Sequence, residues 1–132
     1  MRIMVDTNVL LSALVFRSIK MALLLEKVAE EHTMVLCSYV IEEFRNVVIR
    51  KAPKYEPVVD TFFAKLSYEM VYTPRWQKNM PDIRDEKDKP ILAAAILADV
   101  DIFITGDKDF YDVDIERPEI LNPNDFLNKY YK

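Results

Sequence analysis

The chain has 132 residues, of which 51% are hydrophobic and 30% charged, with a net charge of −4; this composition predicts one globular domain over residues 1–132 and excludes a disordered tract. Cys37 is the only cysteine and His32 the only histidine, so no internal disulfide can form, and a zinc site lacks the roughly four soft ligands it usually takes. The negative balance argues against a protein that grips nucleic acid by bulk positive charge, but not against an enzyme whose acidic residues hold cations.

Residues 2–5 form a short apolar run closed by Asp6 and predict a buried strand. Thr7 or Asn8 can cap a helix over residues 9–16. Ser18 can cap the next, over 19–31, with Ala22, Leu23, Leu25 and Val28 as its apolar face. Residues 33–36 predict a second strand. Ser38 is placed to cap a helix running to about Lys51, which must stop before Pro53. A helix over 57–68 and a third strand over 70–73 follow. Residues 76–87 are polar, contain Pro81 and read as a loop. Pro90 suits the first turn of a helix reaching Ala98. A strand over 101–105, a turn at Gly106, a strand over 119–121 and a helix over 123–129 capped by Asn122 complete the order.

Strands alternating with helices predict an α/β fold: a three-layer α/β/α arrangement around a central parallel sheet of four to five strands. With Gly106 the only glycine, dinucleotide folds and P-loops are excluded, since they need several glycines against the phosphates. The apolar runs at 9–16 and 90–98 fall well short of the ~20 residues of a membrane span. Asp6 breaks the N-terminal run before a signal-peptide core could form. A cytoplasmic location with no membrane partner is expected.

In open α/β sheets, sites form at the carboxyl ends of strands. Asp6 closes the first strand, and Asp107 follows the strand at 101–105. Asp88 stands at the start of the helix containing Pro90, and Glu43 lies in the second turn of the helix that begins at Ser38. Connecting helices begin near that same edge, so these four carboxylates should converge. Glu43 is chosen over Glu42 because Val40, Phe44, Val47 and Val48 recur at helical spacing; Glu43 flanks that stripe, whereas Glu42 lies roughly opposite it. Clustered carboxylates repel one another unless a cation joins them, and oxygen-only ligands suit Mg²⁺ or Mn²⁺. Such an ion lowers the pKa of water and offsets charge on a phosphate, so the expected chemistry is phosphodiester hydrolysis. Each residue also has a plain structural reading: Asp6, Asp88 and Asp107 as helix caps, Glu43 as a solvated rim. Four independent caps, however, need not share one edge.

The segments Val5-Asp6-Thr7-Asn8-Val9-Leu10, Ser38-Tyr39-Val40-Ile41-Glu42-Glu43-Phe44, Asp85-Glu86-Lys87-Asp88 with its Ala-rich helix, and Ile104-Thr105-Gly106-Asp107-Lys108-Asp109-Phe110 resemble, in this order, the motifs of PIN domains. Residues 120–127 are similar to that family's closing strand and helix, so the resemblance runs nearly end to end; the pattern is that of the toxin component of toxin–antitoxin systems. The resemblance implies a metal-dependent endoribonuclease, often a homodimer and often inhibited by an antitoxin protein. It makes Asp6, Glu43, Asp88 and Asp107 both the catalytic residues and the metal ligands. It makes Asn8 and Thr105 supporting residues and Asp109 an outer ligand, against a slightly favoured plain role for Asp109 in capping a turn over 110–112. The region 54–78 carries little motif character. Arg17, Lys20, Arg45 and Arg50 are candidates to track an RNA backbone, and Tyr39, Phe62, Phe63, Tyr130 and Tyr131 to supply an interface.

Two other readings stand beside this one. The run Gly106-Asp107-Lys108-Asp109 is similar to the acidic motif of haloacid-dehalogenase-type phosphatases, but the second acid that chemistry needs two residues after the nucleophile is here Asn8, which cannot transfer the proton. The chain could also be a catalytically inactive PIN-like binding module.

Overall fold

The computed structural model describes residues 1–73, 81 and 83–131. Five strands, β1 (Arg2–Val5), β2 (Thr33–Cys37), β3 (Glu69–Val71), β4 (Ile102–Ile104) and β5 (Glu119–Leu121), alternate with six helices. The helices are α1 (Thr7–Leu14), α2 (Ile19–Glu31), α3 (Ser38–Lys51), α4 (Glu56–Lys65), α5 (Lys89–Leu97) and α6 (Pro123–Tyr130). Every strand pair is parallel, in the order β3-β2-β1-β4-β5. This is the α/β fold and parallel sheet that the alternation predicts. Consecutive residues are buried along the inner strands: Ile3, Met4 and Val5 in β1, Val35 and Leu36 in β2, Ile102 and Phe103 in β4. Successive strand side chains point to opposite faces, so such runs require cover on both.

This order sets the position of the site. The chain leaves β1 for β2 and β3 on one side, then returns to β4 and β5 on the other. The carboxyl ends of β1 and β4 therefore flank the point where the direction reverses, the place where open parallel sheets form their crevice. The β1–β4 register pairs Val5 with Ile104. One step further, the Asp6 N–H donates to the Ile104 carbonyl at 3.0 Å, so Asp6 and Thr105 leave the sheet side by side.

Several boundaries differ from the sequence expectation. Asp6 itself, not Thr7 or Asn8, caps α1, its carboxylate accepting from the Thr7 N–H. The buried stripe of α2 is Leu24, Leu25 and Val28, with Leu23 51% exposed and Ala22 also exposed. The helix is apolar on two adjoining faces, and packing against α1, β2 and α6 selects between them. Ser38 does not cap α3: the cap position is Cys37, with no side-chain bond. Instead the Ser38 Oγ accepts from the Thr73 N–H at 3.0 Å and the Thr73 Oγ1 accepts from the Tyr39 N–H at 3.0 Å, a clasp that ends β3 two residues before the expected limit. Pro53–Tyr55 form a short 3-10 turn, and α4 starts at Glu56 with Pro57 in its first turn. Of the loop expected over 76–87, residues 76–80 and 82 lie outside the described residues, as do 74–78 of the region of little motif character; Glu86–Asp88 form a 3-10 turn leading into α5.

Among the described residues no single helix is long and apolar enough to cross a membrane. The bent pair α1 and α2 passes that test jointly, but its Val9, Leu10, Leu24, Leu25 and Val28 belong to the core.

Candidate functional site

Asp6, Glu43, Asp88 and Asp107 all line one cleft of about 580 Å³. Each arrives from a different element: Asp6 at the end of β1, Glu43 from α3, Asp88 from the turn before α5, Asp107 after β4.

Asp6 is 5% exposed and held on both oxygens. Its Oδ1 accepts from the Thr7 N–H and its Oδ2 from the Thr105 hydroxyl, each at 2.7 Å. Thr105 is in turn fixed by the Asp107 N–H, which donates to its Oγ1 at 3.0 Å, and by the Tyr111 hydroxyl, which donates to its carbonyl at 2.7 Å. Burial pushes the Asp6 carboxyl up to about 6, against the hydrogen bonds from Thr105 and Thr7 that favour its charged form; Glu43 and Asp107 raise it further. Glu43 is half-buried and accepts the Thr7 hydroxyl at 2.6 Å, whereas Glu42, which also lines the cleft, is exposed. Asn8 accepts the Gly106 N–H at 3.3 Å and so ties the β4 loop to α1. No steric demand for glycine exists at Gly106: a Cβ there would meet Asn8 at an ordinary 3.7 Å.

Asp88 makes no cap to α5; the side chain that caps this stretch is Asp85, which accepts from the Lys87 N–H at 3.0 Å. Asp88 is 8% exposed, and its buried Oδ2 has no hydrogen-bond partner among the described residues. Burial, followed by the charges of Asp107, Asp85 and Asp6, pushes its carboxyl up to about 7. Unpartnered buried carboxylate oxygens are costly and uncommon.

The tightest acidic group among the described residues is Asp85, Asp88 and Asp109, whose oxygens lie within 4.8 Å of one another. Asp109 does not cap a turn over 110–112. The 3-10 turn is Lys108–Phe110 and its cap is Asp107, whose Oδ1 accepts from the Asp109 N–H at 2.9 Å. That leaves the Asp109 carboxylate facing Asp85 and Asp88, with Arg84 3.6 Å away. Sequence reasoning missed Asp85, hidden inside its own Asp-x-x-Asp motif, and Thr7, whose hydroxyl reaches Glu43 only because α1 and α3 pack together.

A doubly wound parallel sheet with carboxylates gathered at its switch point defines the class: an α/β protein with an acidic cleft. The chain belongs to the PIN-domain family, whose model, described as PIN domain, matches residues 2–109. Among solved structures it is similar to one described as the crystal structure of VapBC2 from Rickettsia felis bound to a DNA fragment from their promoter. The similarity has a TM-score of 0.72 and 21% identity, over 92% of this chain and 98% of that one. No curated protein matches the sequence.

Proposed function

We propose that this protein is a metal-dependent endoribonuclease, a single PIN-like domain over residues 1–132 that hydrolyses phosphodiester bonds of single-stranded RNA in the cytoplasm. The observation that carries this reading is Asp88 Oδ2, a buried carboxylate oxygen with no donor among the described residues, in a cleft lined by three further carboxylates of the family's motif positions. The cost of such a group is relieved by a cation; burial raises the Asp6 and Asp88 carboxyls most, and the neighbouring carboxylates raise them further. All donors are oxygens, a set that fits Mg²⁺ or Mn²⁺ and excludes softer ions by preference. In this reading Asp6, Glu43, Asp88 and Asp107 hold the ion, with Asp109 as an outer ligand. The chemistry such an ion supplies when bound is Lewis acidity, polarising the phosphodiester and lowering the pKa of water. The protein's own part is orientation. Thr105 and Thr7 fix the Asp6 carboxylate, Thr7 also fixes Glu43, and Asn8 holds the β4 loop that carries Asp107.

We further infer a role as the toxin of a toxin–antitoxin pair. Support comes from the motif pattern and from the similar structure, which is of VapBC2 with a DNA fragment from their promoter. An apolar groove of about 750 Å³, lined by Leu14, Leu25, Phe62 and Leu66 among others, suits an antitoxin protein's apolar face. The aromatics first considered for a homodimer are mostly used within the chain: Phe62 and Phe63 stack with each other, and Tyr131 with Phe126. A homodimer would instead use Phe16, Ile19 and Leu23, exposed by 74%, 77% and 51%.

The test is cleavage of single-stranded RNA by purified protein with added Mg²⁺ or Mn²⁺ and with EDTA. Cleavage with either metal and none with EDTA is expected. Activity that survives EDTA, or no cleavage of any RNA with either metal, overturns the reading.

A further inference from the structure

We propose that the cleft-facing side of α3 is the track of the RNA strand, with Arg50 as its phosphate-binding residue and Asn46 between Arg50 and the acidic end. This rests on the nuclease reading for the identity of the strand. Glu43, Asn46, Val47 and Arg50 all line the cleft, as does Tyr39. Their spacing of three, four and seven residues from Glu43, with Tyr39 four before it, places them on one helical face.

The charges along that face are asymmetric. Around Glu43 the cleft is lined by Asp6, Glu42, Asp85, Asp88 and Asp107, and its only lining cations among the described residues are Arg50 and Lys87. A phosphate is repelled from the acidic end unless cations screen it, so the polyanion must be held from farther along.

Arg50 is also distinguished from the other described arginines, each of which has a partner. Arg2 pairs with Glu69, Arg45 with Asp60, Arg84 with Asp109, and Arg117 with Asp99 and Asp101. Arg17 lies over the Tyr55 ring, 5.8 Å from its centroid. Lys20 contacts the Asn124 side chain. Of the four basic residues that the sequence offers as a backbone track, the fold spends three elsewhere and leaves the Arg50 guanidinium exposed at the cleft, with no ion pair or ring contact among the described residues.

Seven residues of helix separate Glu43 from Arg50, a rise of about 10 Å, or roughly three stacked nucleotides at about 3.4 Å each. Arg50 therefore grips a phosphate about three nucleotides away from the bond that is cut. Asn46, with an amide donor and acceptor, faces the intervening ribose or base edge, and the Tyr39 ring offers a stacking surface at the acidic end.

The test measures binding of a phosphorothioate-linked, cleavage-resistant single-stranded RNA in Mg²⁺ across a salt series, by fluorescence anisotropy. The proteins compared are wild type, Arg50→Gln, Arg50→Lys and the charge-matched control Arg17→Gln. Arg50→Gln should reduce the slope of log affinity against log salt by about 0.7. It should weaken binding roughly eightfold near 50 mM salt, with the difference closing near 1 M. Arg50→Lys should restore most of the slope, and Arg17→Gln should behave as wild type. On a cleavable strand, Arg50→Gln should raise KM with kcat nearly unchanged, as expected of a positioning residue remote from the reacting bond. Four outcomes overturn the track: no binding by wild type, an Arg50→Gln protein with unaltered affinity and slope, an equal loss in Arg17→Gln, or a loss confined to kcat. Arg50-dependent binding by a protein that never cleaves overturns the nuclease reading and leaves the track standing.

Discussion

Asp6 combines two roles that the sequence offered as rivals. It caps α1 through Oδ1 and reaches the cleft with a carboxylate also gripped by Thr105. Its geometry is thus set by backbone and a buried hydroxyl, with little rotamer freedom left to lose on taking a ligand. The substitution Asp6→Asn keeps the shape and one acceptor oxygen but removes the charge. Metal-dependent cleavage should fall by at least about a hundredfold, measured as initial rate on single-stranded RNA. Thermal melting without metal at pH 7.5 should show stability held or raised, because one charge has left a repelling cluster. A folded Asp6→Asn protein that cleaves at the wild-type rate would remove Asp6 from the chemistry. Thr7→Val tests the hydroxyl that Glu43 accepts. It leaves the Thr7 N–H to Asp6 intact, so activity should drop while α1 still forms, and calorimetric titration should show weaker magnesium binding, as loss of a ligand-orienting partner weakens metal sites by about 10–100-fold. Unchanged magnesium affinity would show that Glu43 needs no such support.

At the scale of elements, α2 and the α3–β3 clasp decide where sequence periodicity could not. Residues 19–31 hold apolar side chains on two adjoining faces, and only the neighbouring elements choose the buried one. Leu24→Ala should therefore cost about 2–5 kcal/mol, and Leu23→Ala, at a side chain 51% exposed, within about 0.5 kcal/mol. Urea denaturation of the two variants checks this, and equal costs would place the stripe where the sequence first put it. The same limit applies at Ser38, a residue type that favours helix caps but that here spends its hydroxyl on Thr73, fastening the edge strand β3 to the start of α3. The motif at 104–110 shows the same limit. The turn is Lys108–Phe110 with Asp107 as cap, two residues earlier than the sequence suggests, so Asp109 is freed to face Asp85 and Asp88.

For the whole molecule, the acidic cleft couples stability to pH and metal. Asp6 is raised to about 6 and Asp88 to about 7 from an ordinary value of 3.8. Between about pH 4 and 7 the folded protein therefore holds more protons than the unfolded chain, and the stability these groups contribute is full in acid and lost as pH rises through that window. Glu69, lowered by its hydrogen bond from Arg2, and Asp101, lowered by the Arg2 backbone N–H, act oppositely and weaken the fold toward strong acid. Metal-free protein should accordingly melt at a higher temperature near pH 5 than near pH 7.5. Saturating Mg²⁺ should raise melting more at pH 7.5 than at pH 5 and so narrow that gap, since the ion binds the deprotonated carboxylates and at a hundred times its Kd adds about 2.7 kcal/mol. Melting curves at both pH values, with EDTA and with magnesium, measure the effect. A metal-free protein most stable at pH 7.5 would show that the carboxylates are not mutually strained.

The sequence by itself determined the alternation of strands and helices, the parallel sheet and the gathering of Asp6, Glu43, Asp88 and Asp107 along one cleft at the strand ends. These follow from local patterns: apolar runs ended by Asp6 and Gly106, helical spacing around Phe44, and connections that bring every helix start to one edge. Only the tertiary structure decided which polar atoms found partners. Ser38 went to Thr73, the Arg45 guanidinium to Asp60, and the Thr7 hydroxyl to Glu43, whereas Asp88 Oδ2 found none. A hydrogen bond or ion pair joins groups far apart in the chain at distances of about 3 Å, and no spacing rule fixes such a distance before the sheet has set the elements in place.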